Sequence, residues 1–336
     1  MKEKTSLVIT SVAGSDHPVL NLFARECATR RMPFVVAGDV KSPAGFSIPG
    51  CDFLSVEEQR QLPFAVSALI PDKHYSKKNI AYLKAIRDGA EVIIETDDDN
   101  IPLPAFWEER CGELNGHLLE NKSWVNAYHY FSDTNIWPRG FCLRFLSQQT
   151  EPANAGSTGA YYCPVQQGLA DRNPDVDAIY RLTMPLPFYF KKNNTIILGN
   201  QTICPFNSQN TTWFREAFAL LYLPSFCSFR MTDIWRSFVT QRILWTCNWN
   251  LAFHNATVYQ ERNEHNLMKD FEEEISGYVN NEQLMQDLVA LDLKPGKEFI
   301  YDNLRICYEK IIEKGYIDEK ELVILDAWIL DIKKLI

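Results

Sequence analysis

Through its first hundred residues the chain alternates short apolar runs with stretches of helical spacing. Residues 6–10 form a brief β-type run, and residues 17–30 then place Leu20, Phe23, Ala24 and Cys27 on one helical face. A second apolar run at 34–37 stops at Gly38 and Asp39. Residues 56–62 and 77–88 return to helical spacing, the latter through Ile80, Leu83 and Ile86. Gly89 suits the end of that helix, because glycine tolerates the left-handed conformation that a helix stop needs. Val92, Ile93 and Ile94 make the third apolar run. Strand, helix, strand, helix, helix, strand predicts a parallel sheet with helices on its faces. Ligands of such sheets bind beyond the carboxyl ends of the strands. Thr10-Ser11, Gly38-Asp39 and the polar run after Ile94 all fall at those ends.

Between residues 100 and 210 the pattern breaks up. Nine prolines, from Pro102 to Pro205, forbid long helices there, and Trp107, Trp124, Tyr128, Tyr130 and Trp137 make the segment rich in aromatics. Aromatic loops above a rigid sheet suit an acceptor-binding face, although core packing explains any single ring equally well. Residues 211–250 read as apolar and helical. From residue 264 onward, charge alternates with Leu and Ile at helical spacing. The chain is therefore expected to divide into a 1–260 domain and a 261–336 helical extension, the latter a candidate surface for homo-oligomer assembly.

Composition narrows the function classes. Of 336 residues, 46% are hydrophobic and 23% charged, which allows a sizeable core. A net charge of -9 without a Lys/Arg-rich cluster argues against nucleic acid as a partner. The opening apolar run is far too short to span a bilayer and lacks the features of a signal peptide, so the expected setting is cytoplasmic, with no transmembrane segment. Nine cysteines without CxxC pairs fit reduced thiols better than a disulfide framework or a zinc site.

The stretch EVIIETDDDN, residues 91–100, carries the strongest chemical signal. Three adjacent carboxylates repel one another, and desolvating them costs free energy unless a cation or strong donors compensate. A solvated acidic turn before the next element is the plain alternative. Hard carboxylates at the end of a buried strand suit Mg²⁺ or Mn²⁺, which keep waters and take further ligands from substrate phosphates. This is the DxD arrangement of nucleotide-sugar glycosyltransferases.

Around that stretch the sequence resembles a family. SKKNIAYLKAIRDGAEVIIETDDDN (76–100) resembles the core of the STELLO-type glycosyltransferases and, more distantly, the reversibly glycosylated polypeptide or UDP-arabinopyranose mutase family. VVAGDVKSP (35–43), WPRGFCLR (137–144), GLADRNPDVDAIYRL (168–182) and FRMTDIWRSFVTQRILW (229–245) resemble further family segments in order. The resemblance implies an α/β, GT-A-like (Rossmann-like), mostly parallel sheet flanked by helices, with a C-terminal helical extension. It also implies a divalent cation, a nucleotide-diphosphate sugar donor, and a glycan or other hydroxyl acceptor.

Residue by residue, the resemblance implies that Asp97 and Asp99 hold the metal, with Asp98 on the ribose or supporting the loop. His254 lies where such folds add a third metal ligand, although a lone histidine is equally a structural residue. Asp233 matches the carboxylate beside the acceptor, a candidate general base; the alternative is a helix N-cap. Thr10, Asp39 and Lys41 are candidates for base, ribose and phosphate contacts, and Lys41 reads equally as a solvated loop lysine. Lys78 and Asn79 begin a helix where a cation and backbone N–H groups favour a diphosphate. Arg139 aligns with the arginine that becomes glycosylated in the mutase-like family; its different flanks favour a phosphate or sugar contact. Asp171, Asp175 and Asp177 are candidates for substrate hydroxyls. The competing readings are a nucleotide-sugar mutase and a non-catalytic sugar-nucleotide-binding subunit.

Overall fold

The computed structural model describes residues 4–148, 157–261 and 266–336. The N-terminal half follows the predicted alternation with one unpredicted short strand added, the edge strand at Asp52–Leu54. β1 (Thr5–Thr10), α1 (Pro18–Arg30), β2 (Phe34–Ala37), β3 (Asp52–Leu54), α2 (Val56–Gln61), α3 (Lys78–Arg87) and β4 (Val92–Thr96) succeed one another. Their local causes are legible. Pro18 opens α1 at a position where its missing N–H costs nothing. Ser55 and Glu58 form a reciprocal capping box on α2. Gly89, at φ +89, ends the turn after α3. All five residues of β4 are buried, as expected of a strand covered on both faces.

The middle is irregular, as its prolines require. β5 (Asn100–Pro102), β6 (Glu113–Leu119), β7 (Ser123–Trp124), β8 (Thr158–Tyr162) and β9 (Val165–Asp171) are separated by loops and 3₁₀ turns. A six-residue α4 (Ala178–Thr183) follows, then β10 (Thr195–Leu198), β11 (Thr202–Ile203) and β12 (Asn210–Phe214). Residues 211–250 are therefore not helical throughout. Asn210–Phe214 is a fully buried strand, a 3₁₀ turn covers Arg215–Leu221, and only α5 (Thr232–Thr246) is a long helix. Continuous burial on both faces removed the alternation that would have marked β12 as a strand. β13 (Leu251–Gln260), α6 (Leu267–Val289), α7 (Ile300–Glu313) and α8 (Glu321–Leu335) complete the chain.

The main sheet runs in the order β3-β2-β1-β4-β12-β9-β13-β10-β6-β8. Its first four strands are parallel, the Rossmann-like arrangement that the alternation predicts. Beyond them the sheet is mixed: β12 is antiparallel to both β4 and β9, while β9 and β13 are parallel. Consequently the ends of β1, β2, β4, β9 and β13 and the start of β12 lie along one edge. That edge carries the site.

The C-terminal helices share the core of the rest of the molecule. Leu284, Leu304, Trp328 and Ile332 belong to the same buried cluster as Val8, Ile93 and Phe218. Buried acids fasten them: Glu321 accepts from the N–H groups of Ser225 at 2.9 Å and Phe226 at 2.7 Å, and Asp331 accepts from Val66 N at 3.0 Å. Helices expected as an appendage form one wall of the fold.

A second buried anchor links β4 to α5. Arg236 meets Glu95 through Nη2 to Oε1 at 2.8 Å and Nη1 to Oε2 at 3.1 Å, and both side chains are fully buried. Trp213 Nε1 and the Tyr82 hydroxyl also donate to Glu95, so the carboxylate is satisfied from four sides. A buried pair is tolerable only with such saturation.

Candidate active site

A cavity of about 540 Å³ opens at the strand-end edge. Thr10, Ser11 and Val12 from the tip of β1 and Gly38, Asp39 and Lys41 from the tip of β2 line one side. Asp97, Asp98 and Asp99 beyond β4 line it as well, so the three polar tips expected from the sequence converge on one space. Across from the β1 and β2 tips are Arg139, Asp175, Ser208, Phe229, Arg230 and Asp233.

The three aspartates differ in compensation. Asp97 Oδ1 accepts a hydrogen bond from Lys78 Nζ at 3.1 Å, yet burial, only partly offset by that lysine, raises its pKa. Asp98 accepts from the Ser11 hydroxyl, which ties the acidic turn to the tip of β1. Asp99 Oδ2 accepts from Gln260 Nε2 at 2.9 Å, while Asp99 Oδ1 is buried without a hydrogen-bond partner. Burial first, and Asp97 second, push the Asp99 carboxyl up to about 7. An orphaned carboxylate oxygen beside two further acids fits a divalent cation, because hard cations bind through just such oxygens. Among the described residues no three His, Cys, Asp or Glu side chains converge as a ready metal cage. Asp97 and Asp99 would thus hold a cation that takes its remaining ligands from water and phosphate.

The opposite cluster is saturated. Arg139 Nε and Nη2 reach Asp175 at 2.9 and 2.8 Å, and Nη1 and Nη2 reach Asp233 at 3.0 Å each. Asp233 Oδ2 also accepts from Ser208 N and Ser208 Oγ at 3.2 Å. Burial alone would raise the Asp233 carboxyl, but the Arg139 guanidinium outweighs it and holds the pKa down at about 2. The N-cap alternative for Asp233 does not hold: α5 carries no side-chain cap bond, and Asp233 turns toward the cavity. Gly140, at φ +84, makes this geometry possible, since a Cβ there would stand 2.3 Å from Ile234.

Several expected site residues are placed elsewhere. Lys78 is fully buried and donates to Tyr75 Oη, Thr96 O and Asp97 Oδ1; it compensates the acidic turn from beneath and leaves no proton for a diphosphate. Asn79 is fully buried, clasping the Leu223 backbone at 2.8 and 2.9 Å, so it too is structural. His254 does not join the aspartates. It sits six residues before Gln260 on β13, on the order of 15–20 Å away at strand rise, and a shift in the β9–β13 register lies between them. Its Nδ1 contacts Asn255 O at 3.1 Å, and burial, with Arg110 nearby, lowers its pKa to about 4. Asp177 caps α4 and accepts from Trp137 Nε1 at 2.7 Å, and Asp171 accepts from Phe190 N at 3.0 Å; of that acidic trio only Asp175 lines the cavity.

Other lining residues were not singled out from sequence. Tyr75, Ser208 and Gln260 arrive through tertiary packing, and no local pattern marks them. Arg230, in the quoted segment before α5, is held by Glu274 of α6 at 2.7 Å, so a C-terminal helix shapes the wall.

Residues 230–336, from the turn before α5 through α8, match the family described as STELLO glycosyltransferases. Two Arabidopsis thaliana proteins extend the match toward the N-terminus. The chain is similar to the STELLO glycosyltransferases. "Probable glycosyltransferase STELLO2" is 25% identical over 314 residues, and "Probable glycosyltransferase STELLO1" is 26% identical over 315. Each alignment covers 88% of this chain, which spans 40% of the length of either STELLO relative. The helices after β13 thus lie inside the STELLO-matched segment together with Asp233. A looser likeness, at TM-score 0.39 and 10% identity, covers 83% of this chain and 80% of a chain in the crystal structure of M. tuberculosis glucosyl-3-phosphoglycerate synthase. Among the described residues no helix is long and apolar enough to cross a membrane.

Proposed function

We propose that this chain is a glycosyltransferase that moves a sugar from a nucleotide-diphosphate donor to a hydroxyl acceptor, using Mg²⁺ or Mn²⁺ at Asp97 and Asp99. The observation that carries the reading is the meeting of three strand tips and the Asp233 cluster on one cavity. Kinship with the STELLO proteins supports it.

The β1 and β2 tips receive the nucleoside. Thr10, Asp39 and Lys41 supply an acceptor, an anion and a cation at its rim. Asp39 is oriented by the backbone N–H groups of Val40 at 2.7 Å and His74 at 3.0 Å. Asp98, fixed by Ser11, faces the ribose. The bound cation supplies Lewis-acid neutralisation of the diphosphate leaving group. On the far wall Asp233 orients the acceptor hydroxyl. With a pKa near 2 it is a weak base, so its share of the proton grows only as the hydroxyl acidifies in the transition state. Arg139 has its guanidinium committed to Asp175 and Asp233, which disfavours it as a nucleophile and with it the mutase reading.

A thermal-shift screen of UDP- and GDP-sugars with and without Mn²⁺ tests the donor site, since a ligand that binds only the native state raises its melting temperature. A cation-dependent rise with one donor is expected. Transfer to a sugar acceptor should then follow and disappear in Asp97→Asn. Ring-isomerised donor formed without acceptor would instead identify a mutase, and no shift with any donor would overturn the assignment.

A further inference from the structure

The acidic turn and Asp233 stand on different walls of the cavity, and one chain of side chains joins them. Lys78 Nζ has three protons and three acceptors, Tyr75 Oη at 2.9 Å, Thr96 O at 3.1 Å and Asp97 Oδ1 at 3.1 Å. An ammonium only donates, so Tyr75 Oη accepts there; the Asp233 carboxylate only accepts and takes the Ser208 proton, which leaves the single Tyr75 proton for Ser208 Oγ, its other partner. Ser208 Oγ, accepting that proton, directs its own to Asp233 Oδ2 at 3.2 Å. Every donor in the sequence Lys78, Tyr75, Ser208, Asp233 is thereby fixed in direction. Burial raises the Tyr75 phenol well above its usual range, so the hydroxyl stays protonated throughout.

We propose that Tyr75 and Ser208 are positioning residues that couple the acidic turn to Asp233, so that occupation of the turn by a divalent cation tightens the hold on the acceptor-side carboxylate. The proposal rests on the cation reading given above and goes beyond it. Lys78 divides its charge between Asp97 and Tyr75. When a cation engages Asp97, the ammonium leans toward Tyr75, and each following hydroxyl is polarised toward Asp233. Hydrogen bonds in series strengthen one another in a buried setting. Coupling of this kind is reciprocal, so a change at Asp233 must be felt by the cation. Neither residue need touch the reacting atoms.

Calorimetric Mn²⁺ binding to the full chain, without donor or acceptor, tests this in four proteins: the native chain, Asp233→Asn, Tyr75→Phe and the double variant. Asp233→Asn is expected to weaken Mn²⁺ binding roughly tenfold in the native background and no more than about threefold in the Tyr75→Phe background. The smaller remainder is the through-space field of Asp233, which acts without the hydroxyl. Tyr75→Phe keeps the ring packed against Phe229, at 6.1 Å between centroids, and beneath the Lys78 ammonium at 4.7 Å, so it removes one oxygen only. Ser208→Ala should reproduce Tyr75→Phe, and Ser208→Thr should restore the native coupling. These serine variants decide the matter if Tyr75→Phe fails to fold. Equal fold-changes in both backgrounds overturn the proposal, as does absence of Mn²⁺ binding in the native chain. Failure of the transferase reading alone would appear as absent sugar transfer with the Mn²⁺ coupling intact.

Discussion

Two acidic clusters face one cavity and are compensated in opposite ways. At the Asp97–Asp99 turn the protein supplies too little positive charge: one lysine serves Asp97, and one oxygen of Asp99 has no partner. At the Asp175–Asp233 cluster one guanidinium spans both carboxylates and Ser208 adds two donors. The pKa values follow, about 7 at Asp99 and about 2 at Asp233. The lesson is that carboxylates in one cavity need not share a task. The under-compensated turn is where the proposed cation would act, and the saturated cluster keeps an anion fixed in place.

Removing Arg139 should break the contrast most severely. Arg139→Met leaves two buried carboxylates unpaired, with an expected loss of about 3–5 kcal/mol in unfolding free energy, measured by urea denaturation. A loss under about 1 kcal/mol would show the cluster to be solvated and the comparison empty. Asp99→Asn should act the other way. It relieves the repulsion at the turn, so the melting temperature of the metal-free protein holds or rises while Mn²⁺ affinity falls roughly thirtyfold, about 2 kcal/mol, in a calorimetric titration.

The smallest effect, and the sharpest, is in pH. Asp233 has a folded pKa below its ordinary 3.8, so its stabilisation is present above that value and is lost as pH falls toward 2. Asp99 has a folded pKa above its ordinary 3.8, so its contribution is present at low pH and is lost as pH rises through about 7. Arg139→Met should therefore flatten the acid limb of the metal-free stability profile, and Asp99→Asn the limb toward neutrality. Mn²⁺ affinity should weaken progressively below pH 7 in the native chain, because the proton competes for Asp99. An affinity constant from pH 5.5 to 8 would contradict that carboxyl's assignment as a ligand.

The legible part of this protein lies where local pattern and final environment agree. The runs at β1, β2 and β4, the helical spacing of α2 and the glycine stop after α3 gave the parallel half and located the edge that carries the cavity. Asp97, Asp98, Asp99, Thr10 and Asp39 could be named because each ends an apolar strand or lies within three residues of its end. Lys78, Asn79 and His254 were misplaced because a polar residue beside a motif reads alike whether it points into a cavity or into the core. Lys78 and Asn79 are fully buried and spent on compensating Asp97 and clasping Leu223. β12 escaped detection because burial on both faces erased its alternation.

By itself the sequence determined where charge would crowd: three consecutive carboxylates at the end of an apolar strand repel one another and require compensation from water, a cation or protein donors. Only the tertiary structure decided what compensates each one. Lys78, Gln260, Ser11, Arg139 and Ser208 lie between 19 and 161 residues away along the chain from the carboxylates they meet. Charge is written locally in a chain, whereas desolvation and pairing depend on the antiparallel entry of β12 and the docking of α5, which no short window contains.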